Sequence, residues 1–120
     1  MKGGMDMPFI NVKTNVRLSE EKKQEIGNKL SEAISILPGK SYHYLMTAVE
    51  DNVSMMFHRD SENNIAMVEV KLFGKSTRQA YENLTRAICD IMSKDAGVDG
   101  KYCYVKFSEV EHWGFDGSLF

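Results

Sequence analysis

Apolar positions along this chain alternate between two periods, and each switch marks an element. From residue 9 to 16, β-branched and aromatic residues broken by polar ones predict a strand. Leu18-Ser19-Glu20-Glu21 then signals a helix start: Ser19 can cap, and two acids in the first turn complement the helix dipole. Ile26, Leu30, Ala33 and Ile34 recur at helical spacing and predict a packed face. This helix must stop before Pro38, with Gly39 supplying the turn. Residues 42–50 predict a second strand, and 53–57 a short third that pairs with it through Asp51-Asn52. Residues 59–64 read as a polar loop.

The order then recurs. Residues 65–73 have strong β character and are followed by Gly74-Lys75-Ser76. Ser76 and Gln79 fit a capping box, and Ala80, Leu84, Ala87, Ile88 and Ile91 mark a second amphipathic helix. Gly97 and Gly100 end it, and 102–107 is the matching strand. A duplicated strand-helix-strand unit implies parallel pairing within each copy and helices on one face of the sheet. The expected fold is therefore a two-layer α/β (α+β) sandwich with a four-stranded mixed sheet. Two helices cover only one side. The other side, formed by Ile10, Val12, Val70 and Leu72 or by their alternates, is expected to be apolar enough to drive self-association.

Composition narrows the class. A chain of 120 residues is one domain with a single core. Apolar content of 42% and charged content of 27% are ordinary for a soluble globular protein. A formal charge of −2 leaves no basic footprint, which argues against nucleic acid as a main partner. Cys89 and Cys103 lack metal or redox spacing and read as reduced thiols. No apolar run approaches membrane-spanning length, and residues 1–6 are too short and polar for a signal peptide. The expected location is cytoplasmic, or secreted without a signal peptide.

Met7-Pro8 is where composition gives way to chemistry. Inside a chain, proline nitrogen is an amide without basicity. Exposed by cleavage after Met7, it becomes a secondary amine; chain-terminal amines titrate near pH 7.7–8.0, a range suited to a general base. Lys2-Gly3-Gly4 can be encoded by a purine-rich run resembling a bacterial ribosome-binding site, ending two codons before that of Met7. On that reading synthesis starts at Met7, and methionine removal leaves Pro8 as the mature terminus. The plainer reading is a short tail ahead of a buried, inert Pro8. Both stand at this point.

Further pieces occur in order: the proline strand ending Thr14-Asn15, Gly39-Lys40 after the first helix, Phe73-Gly74-Lys75, Tyr104-Val105-Lys106-Phe107, and the ending Gly114-Phe115-Asp116-Gly117-Ser118-Leu119-Phe120. Together they resemble the macrophage migration inhibitory factor branch of the tautomerase superfamily, over essentially all of residues 8–120. The resemblance makes residues 1–7 an N-terminal extension and 8–120 the domain. It implies a homotrimer with three sheets facing inward and active sites at subunit interfaces.

The resemblance also assigns candidate roles, beginning with Pro8 as catalytic base. A base must be neutral near working pH, and burial and a nearby cation both disfavour the ammonium form. Lys40 matches the family's active-site lysine, which would supply that cation, hold a substrate carboxylate and stabilise an enolate. Read by itself it is a solvated loop lysine. Phe73 matches a position whose backbone N–H meets the carboxylate, its ring walling the pocket or serving as strand-end core. Tyr104 matches a tyrosine contributed by the neighbouring subunit, and equally fits a packed strand tyrosine. Lys106 lies two residues on, on the same strand face, where many members carry asparagine. It either depresses the proline further and favours anionic substrates, or is surface charge. Phe115 and Phe120 match aromatic positions at the pocket rim and C-terminal hairpin, or seal the trimer.

Other constellations fail. His43, His58 and His112 are scattered without metal-ligand spacing. The methionines read as core or interface filler. Ile65-Ala66-Met67-Val68 stands where some relatives have a cysteine pair, so thiol oxidoreductase activity is not supported. No glycine-rich phosphate loop is present. The expected function is a cofactor-independent keto–enol tautomerase of small 2-keto acids of the phenylpyruvate type, with no metal and no membrane partner. The competing class is a non-catalytic, cytokine-like binding protein on the same trimeric scaffold, favoured if residues 1–7 are retained. A plain interaction module of the same fold is the third. Receptor engagement is open.

Overall fold

The computed structural model describes residues 7–120; residues 1–6 of the expected N-terminal extension 1–7 lie outside the described residues. Two βαβ units follow one another. The first runs β1 (Phe9–Thr14), α1 (Glu20–Ala33), β2 (Met46–Glu50), and the second β3 (Ala66–Phe73), α2 (Arg78–Ala96), β4 (Cys103–Val110). A short hairpin of β5 (Gly114–Phe115) and β6 (Ser118–Leu119) closes the chain. The sheet order is β2-β1-β3-β4: β1 and β2 are parallel, β3 and β4 are parallel, and β1 meets β3 antiparallel. The mixed, duplicated sandwich is as the sequence predicts.

Local signals explain the element ends. Ser19 caps α1, its hydroxyl accepting from the Lys22 N–H at 3.0 Å. Thr77, rather than Ser76, caps α2 by accepting from the Ala80 N–H at 3.1 Å. The Ser76 N–H instead donates to the Tyr81 hydroxyl at 2.9 Å; the cap is thus displaced by one residue and the expected box with Gln79 does not form, its amide donating to Asn83 at 3.0 Å. Gly97 ends α2 at φ 68°, a left-handed position where a Cβ would be strained.

The core lies between the sheet and the two helices. Ile10 and Val12 of β1 and Val68, Val70 and Leu72 of β3 are fully buried against Ile26 and Leu30 of α1 and Leu84, Ile88 and Met92 of α2. At about 1.5–3 kcal/mol for each fully buried aliphatic side chain, this layer is the main source of stability. Asp95 of α2 ties the helices together, with the Lys29 ammonium at 2.8 Å and that of Lys22 at 3.5 Å.

Two expectations are corrected. Residues 53–57 form no strand: the Val53 N–H turns to the Thr14 carbonyl at 3.0 Å, and only Phe57 is bridged, to Asp60. The segment departs because the Asn52 and Val53 N–H groups are taken by the Val16 and Thr14 carbonyls at the end of β1, not by β2. The uncovered sheet face also differs. Ile10, Val12, Val70 and Leu72 all point to the helices, and their alternates make a mixed surface of Phe9, Asn11, Lys13, Met67, Glu69, Lys71, Tyr104 and Lys106. Asn11 donates to Glu50 at 2.8 Å across this face, Lys106 lies 3.7 Å from Glu69, and the Lys71 ammonium sits 5.9 Å above the Phe9 ring. Charge alternation, not bare hydrocarbon, characterises that side.

Candidate functional site

Antiparallel pairing of β1 with β3 brings the start of one strand to the end of the other. Phe9 stands opposite Lys71, so Pro8 lies beside the last turn of the β3 ladder, which ends at Phe73. β2 starts at the same end, since the Met46 N–H donates to the Pro8 carbonyl at 3.2 Å. β4 also finishes there, with Val110 opposite Phe73, and delivers the C-terminal hairpin. One end of the sheet therefore gathers Pro8, the loop leading into β2, Phe73 and the hairpin.

Burial at this end is high. Pro8 is buried, and Met7 before it is only 3% exposed. The proline nitrogen in this form belongs to a planar amide whose lone pair is delocalised. Lys40 lies in the loop leading into β2 and is 7% exposed, so the solvated-lysine reading is corrected. Its backbone is fixed by a turn in which its N–H donates to the Leu37 carbonyl at 3.0 Å, with Gly39 at φ 84°. A lysine held this deep is uncommon unless it is engaged.

Aromatic rings form a wall at this end of the sheet. Phe73 meets Phe120 at 5.8 Å between centroids, Phe120 stacks on Phe115 at 6.2 Å, and Phe115 takes the edge of Tyr44 at 5.8 Å. Such offset and edge-on pairs are favourable beyond their buried area. Phe115 remains 47% exposed, so the wall has an open side. Tyr44 is the member that sequence reasoning missed. It sits in a 3-10 turn, Tyr42–Tyr44, capped by Ser41, whereas the alternating pattern reads as continuous strand from residue 42. The aromatic run directly after Gly39-Lys40 was the available signal.

Tyr104 and Lys106 are not brought to this end. Tyr104 pairs with Met67, which pairs with Lys13, five residues along β1 from Pro8 and two strands across. At 3.2–3.4 Å per residue that is about 17 Å along the strands, beyond any tyrosine side chain. Lys106 is three residues along, opposite Glu69. Within one chain the predicted set divides into Pro8, Lys40, Phe73 and Phe115 at one end and Tyr104 with Lys106 toward the other.

Hollows elsewhere offer less chemistry. One of about 560 Å³ is lined by Ser76, Arg78, Tyr81, Thr85, Phe107 and Glu109. There the Tyr81 hydroxyl is pushed up to about 12 by burial and by its hydrogen bond to Glu109 at 2.6 Å, so it stays protonated and structural. Among the described residues, no group of three His, Cys, Asp or Glu side chains could hold a metal ion, and no helix is long and apolar enough to cross a membrane.

Comparison with known proteins follows this geometry. The family model for macrophage migration inhibitory factor (MIF) matches residues 7–120. The structure is similar to MIF2 of Leishmania major, with a TM-score of 0.88 and 24% identity over 95% of this chain and 97% of that one. It is similar to the macrophage migration inhibitory factor-like protein of Entamoeba histolytica, with a TM-score of 0.85 and 26% identity over 95% and 99% of the two chains. The homologue from Prochlorococcus marinus gives a TM-score of 0.84 and 26% identity over 93% and 98%. No curated protein matches the chain by sequence.

Proposed function

The chain belongs to the macrophage migration inhibitory factor family, within the tautomerase superfamily, and from that premise we propose that it is a cofactor-independent keto–enol tautomerase of small 2-keto acids of the phenylpyruvate type. The observation that supports this reading is that one end of the sheet carries buried Pro8, the loop with buried Lys40 that leads into β2, and the ring wall of Phe73, Phe120, Phe115 and Tyr44. In the proposed mechanism cleavage after Met7 frees Pro8 as a secondary amine, kept neutral by its buried position. It takes the proton from the carbon beside the keto group and returns it to oxygen, or the reverse. The Lys40 ammonium and the backbone N–H of Phe73 hold the carboxylate and the developing enolate. The aromatic end lies between Phe115 and Tyr104.

Tyr104 and Lys106 enter the proposal from a second copy, because neither reaches Pro8 within its own chain. A homotrimer in which each chain supplies them to the next completes the site. Lys106, drawn toward Glu69 at 3.7 Å, presents a partly compensated charge. A second reading rests on the Met7-Pro8 amide: with that bond intact there is no base, and the protein is then a non-catalytic, cytokine-like binding protein on the same scaffold.

The deciding experiment compares two forms of known N-terminal mass. Protein beginning at Pro8 is expected to enolise phenylpyruvate, and protein retaining Met7 to be nearly inactive. Pro8→Gly in the short form should keep a primary amine and part of the rate. Equal activity of the two forms, with the long one intact by mass, would remove Pro8 as the base.

A further inference from the structure

Phe57 closes a tight turn at the far end of the sheet from Pro8. Phe57 and Asp60 exchange both backbone hydrogen bonds at 2.9 Å. Between them His58 and Arg59 have φ 57° and 59°, the paired left-handed geometry of a type I′ turn. Side chains at such angles are strained, and the surroundings must hold them. The Asp60 carboxylate fixes the chain just after the turn, accepting from the Glu62 N–H at 2.7 Å and from the side-chain amide of Asn63. The turn mounts Phe57 where the sequence pattern predicts the end of a strand at 57 and a polar loop from 59.

What it mounts is a ring aimed at two tyrosines. Phe57 lies 5.1 Å from Tyr104 with the planes at 71°, and 5.9 Å from Tyr102 at 84°, both edge-to-face. Tyr104 projects from β4 and is 60% exposed in the single chain. A tyrosine so exposed would otherwise spread over its rotamers, and ordering it at the moment of binding costs entropy. The edge of Phe57 restricts it beforehand.

We infer that Phe57 is a positioning residue: it fixes the ring of Tyr104 in the orientation that the neighbouring copy's 2-keto acid site takes. The inference rests on the proposed role of Tyr104. Selectivity for an aromatic substrate tail is then set by a contact made before binding, in a chain segment remote from Pro8 in its own subunit. Phe57 touches no substrate and acts through Tyr104.

The test uses the protein processed to Pro8, with four variants read side by side. Phe57→Leu is expected to raise KM for phenylpyruvate about threefold to tenfold, the scale of a lost aromatic pair, with kcat within about twofold and KM for a 2-keto acid lacking the ring unchanged. Phe57→Tyr should restore the wild-type KM. Tyr104→Ala should raise the same KM at least as far, and the double variant Phe57→Leu/Tyr104→Ala should be no worse than Tyr104→Ala alone. Sedimentation mass and thermal midpoint establish that assembly is intact. Should Phe57→Leu not fold, the unsubstituted protein still decides: Tyr104 ring signals shifted by Phe57 and showing contacts to it support the inference, and averaged, unshifted signals overturn it. If Tyr104→Ala raises KM and Phe57→Leu does not, the inference alone fails. If Tyr104→Ala leaves KM unchanged, the role of Tyr104 fails and takes the inference with it.

Discussion

The ring of Phe120 lies nearly parallel to that of Phe115, 6.2 Å away and inclined by 13°, while its other neighbour is Phe73 at 5.8 Å. The last residue thereby bonds the C-terminal hairpin to the end of β3. Phe120→Ala removes both ring pairs at about 0.5–1.5 kcal/mol each. It is expected to lower kcat/KM for phenylpyruvate about tenfold, and to lower the thermal midpoint by about 4–12 °C, measured by enolisation assay and calorimetry. A midpoint that collapses with the rate would make Phe120 a folding residue.

Lys40 is open to a cleaner test because its alkyl stem can be kept. Lys40→Met removes the charge and retains most of the buried volume. Turnover of phenylpyruvate by the processed protein should fall about 100-fold or more, as when a donor to a developing oxyanion is lost. The thermal midpoint should move by less than about 5 °C. A rate within twofold of the original would confine Lys40 to a structural duty.

Asp95 makes the junction of the helices sensitive to acid. Burial works against its charged form, but the ammonium groups of Lys29 and Lys22 outweigh this and hold the carboxyl below the usual range. A carboxyl lowered in the folded state contributes stability above its unfolded pKa, about 3.9, and loses it as pH falls through the folded value. Its side chain is 5% exposed, whereas those of Lys29 and Lys22 are 41% and 35% exposed and can turn to water. Asp95→Asn should therefore cost about 1–2 kcal/mol at pH 7, and the difference from the original protein should shrink below about pH 4. Urea titrations across that range check it, and a gap independent of pH would contradict the pairing.

The two cysteines should differ in reactivity. Burial, and then the neighbouring sulfur of Cys89, pushes the Cys103 thiol up to about 12, so almost no thiolate is present near neutrality. Cys89 is half-buried on α2. Iodoacetamide at pH 8 is expected to label Cys89 in the folded protein and Cys103 only after unfolding, followed by peptide mass. Equal rates at both would show that the α2–β4 junction opens readily.

Much of the architecture is local, and local features are legible in a sequence. The Ser19 cap, the Gly97 stop and the repeated strand-helix-strand order each depend on residues within a turn or two of one another, where hydrogen bonding and side-chain period are set by the chain itself. The family resemblance also supplied Pro8, Lys40, Phe73, Tyr104, Lys106 and Phe115 as a candidate set. Where the pattern misled, backbone hydrogen bonds overrode it: the Asn52 and Val53 N–H groups go to the Val16 and Thr14 carbonyls and leave residues 53–57 out of the sheet, and a 3-10 turn at Tyr42–Tyr44 hid Tyr44 from a strand reading.

What tertiary structure alone decided is which distant residues meet. Alternation along β1 separates Ile10 and Val12 from Phe9, Asn11 and Lys13, yet only packing against α1 and α2 determines which set becomes core. The antiparallel register of β1 on β3 sends Pro8 toward Phe73 and Tyr104 to the other end. Such pairings join residues dozens of positions apart, and their register is selected by the burial of the whole hydrophobic layer, a free energy that no local window of sequence contains.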